Sequence, residues 1–172
     1  IKTGLSYLKG NTRIRDKIPR SEVHILINRI KKYLSIIIPV GSYRRGSKIC
    51  NDLDILICDS RYSLSEIIKK LVYYDILVDH LTPNIDNLET KYMGLIKSTL
   101  PNTVRRIDIR VISKRSMGTA LLYFTGSANF NKNMRKIAKR KGYILNEYYL
   151  KNIETDKRYY MKNEKMVFKA LG

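Results

Sequence analysis

Tryptophan is absent from this 172-residue sequence, and cysteine and histidine occur only twice each. Two cysteines, Cys50 and Cys58, exclude a scaffold held by several disulfides. With only His24 and His80 available and no paired-cysteine spacing, zinc is a poor fit. No apolar run approaches the roughly 20 residues that span a bilayer. The longest, residues 34–40, has strand length and carries Ser35 and Pro39. The N-terminal stretch lacks the basic-then-apolar layout of a signal peptide, so an intracellular, reducing environment is expected. Internal repeats and low-complexity segments are missing too. Acidic residues are scarce: 15 Asp plus Glu face 34 Lys plus Arg, a net charge of +19.

That surplus attracts polyanions, of which nucleic acid is the commonest; the duller alternative is a solubility surface. A hydrophobic content of 44% supports a real core and argues against disorder. The length suits one domain, or one core with a small lobe attached. The first residue is Ile rather than Met, so a fragment or processed product is expected.

Residues 1–17 are polar and basic and read as a linker. An amphipathic helix follows, with Ser21 as its expected N-cap and Val23, Leu26, Ile27 and Ile30 on one face. A β-branched strand at 35–40 ends in Gly41-Ser42, a loop covers 43–51, and a second strand covers 52–58. The pattern predicts a helix at 64–74, a weaker strand at 91–97 and a clean alternating strand at 105–112. In that last strand Arg106, Asp108 and Arg110 share one face, and Ile107, Ile109 and Val111 the other. Beyond Ser113 the character changes: helices at 117–124 and 131–141, a strand at 143–150 and a final helix at 163–171. The sum is an α/β catalytic lobe followed by a smaller, more basic one.

Asp52 and Asp54 sit at i and i+2, so their side chains leave one face of a strand about 7 Å apart. Asp108 lies mid-strand between two isoleucines. Strand interiors disfavour aspartate. A salt bridge to Arg106 or Arg110 accounts for Asp108 alone; three such placements ask for more. If the two strands are neighbours, the carboxylates repel one another, and either some are protonated or a hard divalent cation sits among them. Mg²⁺ fits best, because it takes carboxylate oxygens and bridges to substrate phosphates. Two such ions would organise phosphoryl transfer. Just before Asp52, Gly41 and Gly46 permit close backbone approach, Ser42 offers a hydroxyl, and Arg44 and Arg45 offer bidentate phosphate contacts.

The string Gly41-Ser42-Tyr43-Arg44-Arg45-Gly46, with Asp52-Leu53-Asp54 after it, resembles the nucleotidyltransferase motif of family X DNA polymerases, the family of DNA polymerase beta. Ile18-Pro19-Arg20, Arg105-Arg106-Ile107-Asp108-Ile109-Arg110, Tyr123-Phe124-Thr125-Gly126-Ser127, Phe130-Asn131-Lys132-Asn133-Met134-Arg135 and Asn146-Glu147-Tyr148 agree in order. The resemblance implies an α+β fold: a nucleotidyltransferase-type palm with a mixed β-sheet and flanking helices at 18–114, and a small C-terminal α/β nucleotide-selecting subdomain at 115–172. Residues 1–17 become a remnant of an upstream helix-hairpin-helix region, of which Gly4-Leu5-Ser6-Tyr7-Leu8 resembles the last edge, with no N-terminal lyase domain.

The resemblance also implies roles. Asp52, Asp54 and Asp108 would be the catalytic metal ligands for two Mg²⁺, with Mn²⁺ as a substitute. Gly41, Ser42, Arg45, Tyr123, Phe124, Gly126 and Asn131 would bind nucleotide. Arg106, Lys91 and Arg135 would bind DNA, while Arg110, Glu147 and Tyr148 would form a conformational switch. The implied activity is a DNA-directed DNA polymerase that adds dNMP to a primer 3′-hydroxyl in short-gap repair. Its implied partners are gapped or primed double-stranded DNA and dNTPs, with no membrane, and a monomer is expected. Template-independent addition and a non-catalytic DNA-binding module are the alternatives. The sequence departs from the family pattern at Lys17, where Arg is usual, at Cys50 and Asn51, where Ser and Gly are common, and at Ala128, which replaces an Asp.

Overall fold

The structure, a computed structural model, describes Tyr7 and residues 12–58 and 61–172. The Gly4–Leu8 likeness therefore lies, apart from Tyr7, outside the described residues. Two compact units divide between Val111 and Ile112.

In the first unit β1 (Arg13–Ile14) and β2 (Ile18–Pro19) precede helix α1 (Arg20–Lys31). Pro19, not Ser21, occupies the N-cap, and no side chain caps the helix. Strand β3 (Ile37–Pro39), the one-turn helix α2 (Gly41–Arg44), β4 (Ile49–Cys50) and β5 (Leu53–Ile57) follow. Helix α3 (Leu64–Tyr73) opens on a capping box: the Ser63 hydroxyl accepts from the Glu66 N–H, and the Glu66 carboxylate accepts from the Ser63 N–H. Such a box fixes the first turn by pairing donors that no helical carbonyl can reach. Strands β6 (Leu77–His80), β7 (Lys91–Lys97) and β8 (Thr103–Val111) complete the unit.

The sheet runs β3-β5-β8-β7-β6, with β1 also on β8. Strands β5 and β8 are parallel and the other ladders along that order antiparallel, so the sheet is mixed and the fold is α+β. Alternation decides its two faces. Ile55, Ile57, Ile107 and Ile109 point into a core shared with Val23, Leu26, Ile27 and Ile30 of α1 and Ile67, Ile68 and Leu71 of α3. Asp54, Asp108, Arg106 and Arg110 take the opposite parity and remain partly accessible.

Arg105 has core parity and is 2% exposed. Its Nε and Nη2 donate to both oxygens of Glu22 at 3.0 and 2.6 Å, and its Nη1 donates to the carbonyls of Arg15 and Lys17. The pair ties α1 and the 15–17 segment to β8. Burial alone would raise the Glu22 carboxyl, but its hydrogen bonds to Arg105 and Ser98 and the Arg105 charge hold it below its ordinary value.

The second unit carries helix α4 (Met117–Thr125), helix α5 (Ala128–Arg140), strands β9 (Tyr143–Leu145), β10 (Leu150–Asn152) and β11 (Arg158–Tyr159), and helix α6 (Glu164–Leu171). Residues 143–150 do not form one strand: they turn back at Asn146, whose side-chain oxygen accepts from the Tyr148 and Tyr149 N–H groups. The core of this unit joins Leu122, Met134, Ala138, Leu145, Leu150, Val167 and Leu171.

Candidate active site

The site begins with register. Asp54 on β5 is the Cα partner of Asp108 on β8, so the two leave the same face of neighbouring strands about 4.8 Å apart. Burial, then Asp52, then Asp108 push the Asp54 carboxyl up to about 7, against opposition from Arg45 and Arg110. Burial and Asp52 also raise Asp108, opposed by Arg110, Lys91 and Arg106. All three aspartates therefore share one field, as do four cations named by the resemblance.

Gly41, separated from β3 by Val40 alone, has φ +58°, and a Cβ there would collide with the Asp54 carboxylate. Only glycine satisfies both demands. The Val40 N–H donates to the Asp54 carbonyl at 3.0 Å, so the turn and the carboxylate strand are locked together. Downstream, the Arg45 N–H donates to the Gly41 carbonyl at 3.3 Å and the Ser47 N–H to the Ser42 carbonyl at 3.1 Å.

The Ile18-Pro19-Arg20 segment proves to be the brace of this loop. Ile18 pairs with Cys50 and Pro19 with Ile49, and the Arg20 N–H donates to the Lys48 carbonyl at 2.9 Å. The Arg20 guanidinium donates to the Tyr43 carbonyl at 2.6 Å and the Ser47 carbonyl at 3.5 Å, and lies 4.1 Å over the Tyr43 ring. His24 Nδ1 meets the Tyr43 hydroxyl at 3.1 Å.

Three buried side-chain atoms lack a hydrogen bond among the described residues: Ser42 Oγ, Arg106 Nε and Asn131 Oδ1. Buried polar atoms without partners are uncommon and call for an explanation. All three belong to residues named from the sequence as substrate contacts. Arg106 Nε has only a long ion pair with Asp16, at 3.5 Å.

The donor set is all oxygen, which suits a hard divalent cation and not zinc. Among the described residues no three His, Cys, Asp or Glu side chains stand close enough to hold a metal ion by themselves. Mg²⁺ matches that arrangement, because it is usually bound by one or two carboxylates, with waters and substrate phosphates completing its shell. The three aspartates thus fit the ion in charge and ligand type. A cavity of about 480 Å³ lined by Lys97, Asn102 and Thr103 lies at the start of β8 and includes none of the carboxylates.

Of the remaining residues named from the sequence, Lys91 is the Cα partner of Arg110 and is exposed. In the second unit, Tyr123 and Phe124 lie in the last turn of α4 as an edge-on pair 5.1 Å apart, and Gly126 closes that helix at φ +67°. Asn131 donates from Nδ2 to the Tyr123 carbonyl at 2.6 Å. The Ser127 hydroxyl caps α5 by accepting from the Phe130 N–H, next to Ala128 at the first helical position. Arg135 is exposed on α5. Glu147 and Tyr148 occupy the turn after β9, where the Glu147 carbonyl accepts from the Thr119 hydroxyl at 3.1 Å. Cys50 is 0% exposed, so its thiol serves the core rather than the loop surface. Sequence reasoning overlooked the Arg105–Glu22 pair; an arginine at the parity of Ile107 and Ile109 was the available signal.

Comparison with known proteins gives a concordant result. The family model for the DNA polymerase beta palm matches residues 17–114, and that for the DNA polymerase beta thumb matches 120–172. DNA polymerase lambda of Rattus norvegicus is 35% identical over 150 residues, covering 78% of this chain and 26% of that protein. DNA polymerase lambda of Arabidopsis thaliana is 28% identical over 163 residues, covering 85% of this chain and 30% of that protein. The Repair DNA polymerase X of African swine fever virus is 28% identical over 176 residues, covering 98% of this chain and 94% of the viral protein. The chain thus spans less than a third of either lambda polymerase.

Proposed function

Because the chain belongs to the DNA polymerase beta family, we propose that it is a DNA-directed DNA polymerase, a nucleotidyltransferase that extends a primer 3′-hydroxyl by one dNMP with release of pyrophosphate. The observation that carries this reading is the facing pair Asp54 and Asp108, with Asp52 in the same field and Asp54 held at about 7. Such a cost in charge repulsion makes sense where a cation and a polyphosphate complete the site.

Asp52, Asp54 and Asp108 would hold two Mg²⁺. Bound there, the ions offset phosphate charge, activate the attacking oxygen and stabilise the leaving one. The chain's own groups do the rest. The unpaired Ser42 hydroxyl and the Arg45 guanidinium bind the triphosphate. Arg106 holds a primer phosphate with its spare donor, and Lys91 and Arg135 contact the DNA backbone. Tyr123, Phe124 and Gly126 line the sugar and base, and the unused Asn131 Oδ1 accepts from the base edge. Arg110, Glu147 and Tyr148 act as the conformational switch. In domain terms, residues 18–114 serve as palm and 115–172 as nucleotide selector. The setting is short-gap repair by a monomer in a reducing, intracellular environment, where Cys50 and Cys58 stay outside any disulfide.

Primer extension on a one-nucleotide gap, on an open primed template and on an unpaired strand, with and without Mg²⁺, tests this reading. Templated, Mg²⁺-dependent incorporation is expected. Extension of the unpaired strand alone would favour template-independent addition, and no incorporation anywhere would leave a binding module.

A further inference from the structure

Helix α5 presents Lys132, Arg135, Lys136, Lys139 and Arg140 to solvent, and all five are exposed. At 100° per residue they fall within an arc of about 140°, on the side opposite Met134, Ile137 and Ala138. Those three residues face the core of their unit. The stripe extends about 12 Å at 1.5 Å per residue. Residues 128–140 contain no Asp or Glu, so no neutralising partner comes from the helix itself. Among the described residues none of the five forms an ion pair. The spacings 132/136, 135/139 and 136/140 each set like charges at i and i+4, an arrangement that destabilises a helix. Lys139 and Arg140 gain something from the helix dipole in the last turn; Lys132 and Lys136 lie too far from the C-terminus for that.

We propose that Lys136, Lys139 and Arg140 form a backbone-tracking surface for DNA, which continues the contact assigned above to Arg135 along the same strand for two or three further phosphates. The inference rests on the polymerase reading for the identity of the strand. The match is one of charge and pitch: the stripe is long enough for consecutive phosphates, and among the described residues its cations have no ion-pair partner. A surface of this kind reads no sequence. It supplies salt-dependent affinity through counterion release.

The test is the salt dependence of binding to a primed template with a single-stranded extension, followed by fluorescence anisotropy on the full chain. The triple variant Lys136→Gln, Lys139→Gln, Arg140→Gln is compared with Lys136→Arg, Lys139→Arg, Arg140→Lys, which keeps the charge. Loss of three phosphate contacts lowers the slope of log K against log salt by about 2, at roughly 0.7 per contact on a single strand. The charge-keeping variant retains the parent slope. Incorporation at saturating DNA and low salt stays at the parent level in both. An unchanged slope in the neutral variant overturns the proposal, as does an equal loss in the charge-keeping one. If the parent protein binds with the expected slope but incorporates nothing, the surface stands and the polymerase reading falls.

Discussion

Asp54 and Asp108 face each other across two parallel strands, and each is forced towards its protonated form by burial and by neighbouring carboxylates. An ordinary sheet would fill these positions with β-branched residues. Fold stability has been given up locally to hold negative charge in one place.

The first consequence concerns pH. Asp54 titrates near 7 when folded, against an ordinary value of 3.8. The folded state therefore binds the proton more tightly, and stability falls as pH rises from about 4 to about 7, then levels. The full shift corresponds to ~4 kcal/mol; allowing for partial solvent access, we expect about 2 kcal/mol. Asp54→Asn should raise the stability of the metal-free protein by that amount at pH 8 and change it little at pH 3, below the unfolded value. Thermal unfolding at the two pH values, with a chelator present, checks it.

Glu22 and Arg105 behave in the opposite sense. The carboxyl is depressed when folded, so its contribution is present above the unfolded value near 4.5 and fades as pH falls through the folded one. Removing either partner leaves a buried charge uncompensated. Arg105→Ala or Glu22→Ala should each destabilise by about 3–5 kcal/mol in chemical denaturation at neutral pH. A loss below about 1 kcal/mol would mean that water reaches the pair.

The helices and long strands were legible because their periodicities are undisturbed: α3 and β7 lie within one residue of expectation, and the alternation at 107–111 identified both faces of β8. Shorter features depended on partners remote in sequence. Strand β6 is a four-residue segment, too short to show a clear alternation, that exists because β7 offers it an edge, and β1 and β2 are two-residue ladders made by tertiary contact. At the site, residue types and spacing identified the aspartates, but the pairing of 54 with 108 required the sheet. The brace formed by Arg20 was hidden for the same reason, since its partners are backbone carbonyls 23 and 27 residues away.

That brace gives the third prediction. Arg20 touches no substrate in the proposed mechanism; it holds the loop that carries Ser42 and Arg45 at the Tyr43 and Ser47 carbonyls. Arg20→Ala should raise the nucleotide KM about tenfold and lower kcat by less, because misplaced phosphate donors weaken binding first. Arg20→Lys should recover only part of the loss, since an ammonium cannot hold two carbonyls while stacked on Tyr43. Equal changes in kcat and KM would instead point to general loosening of the fold.

Gly41 gives the fourth. Gly41→Ala meets both a left-handed backbone and the Asp54 carboxylate, so it should cost about 1–3 kcal/mol in stability and reduce incorporation at least 100-fold. Gly46→Ala is the informative control. Its φ is +84° but a Cβ there meets no atom within 4 Å, so strain alone should leave most of the activity.

The central claim is that the three carboxylates form one catalytic group, and its most direct test is single-turnover incorporation into a one-nucleotide gap by Asp108→Ala in Mg²⁺. The account predicts loss of at least a thousandfold in rate, with DNA affinity equal to the parent's or tighter, because a negative charge has left a DNA-facing surface. Incorporation by the variant at near the parent rate would contradict it.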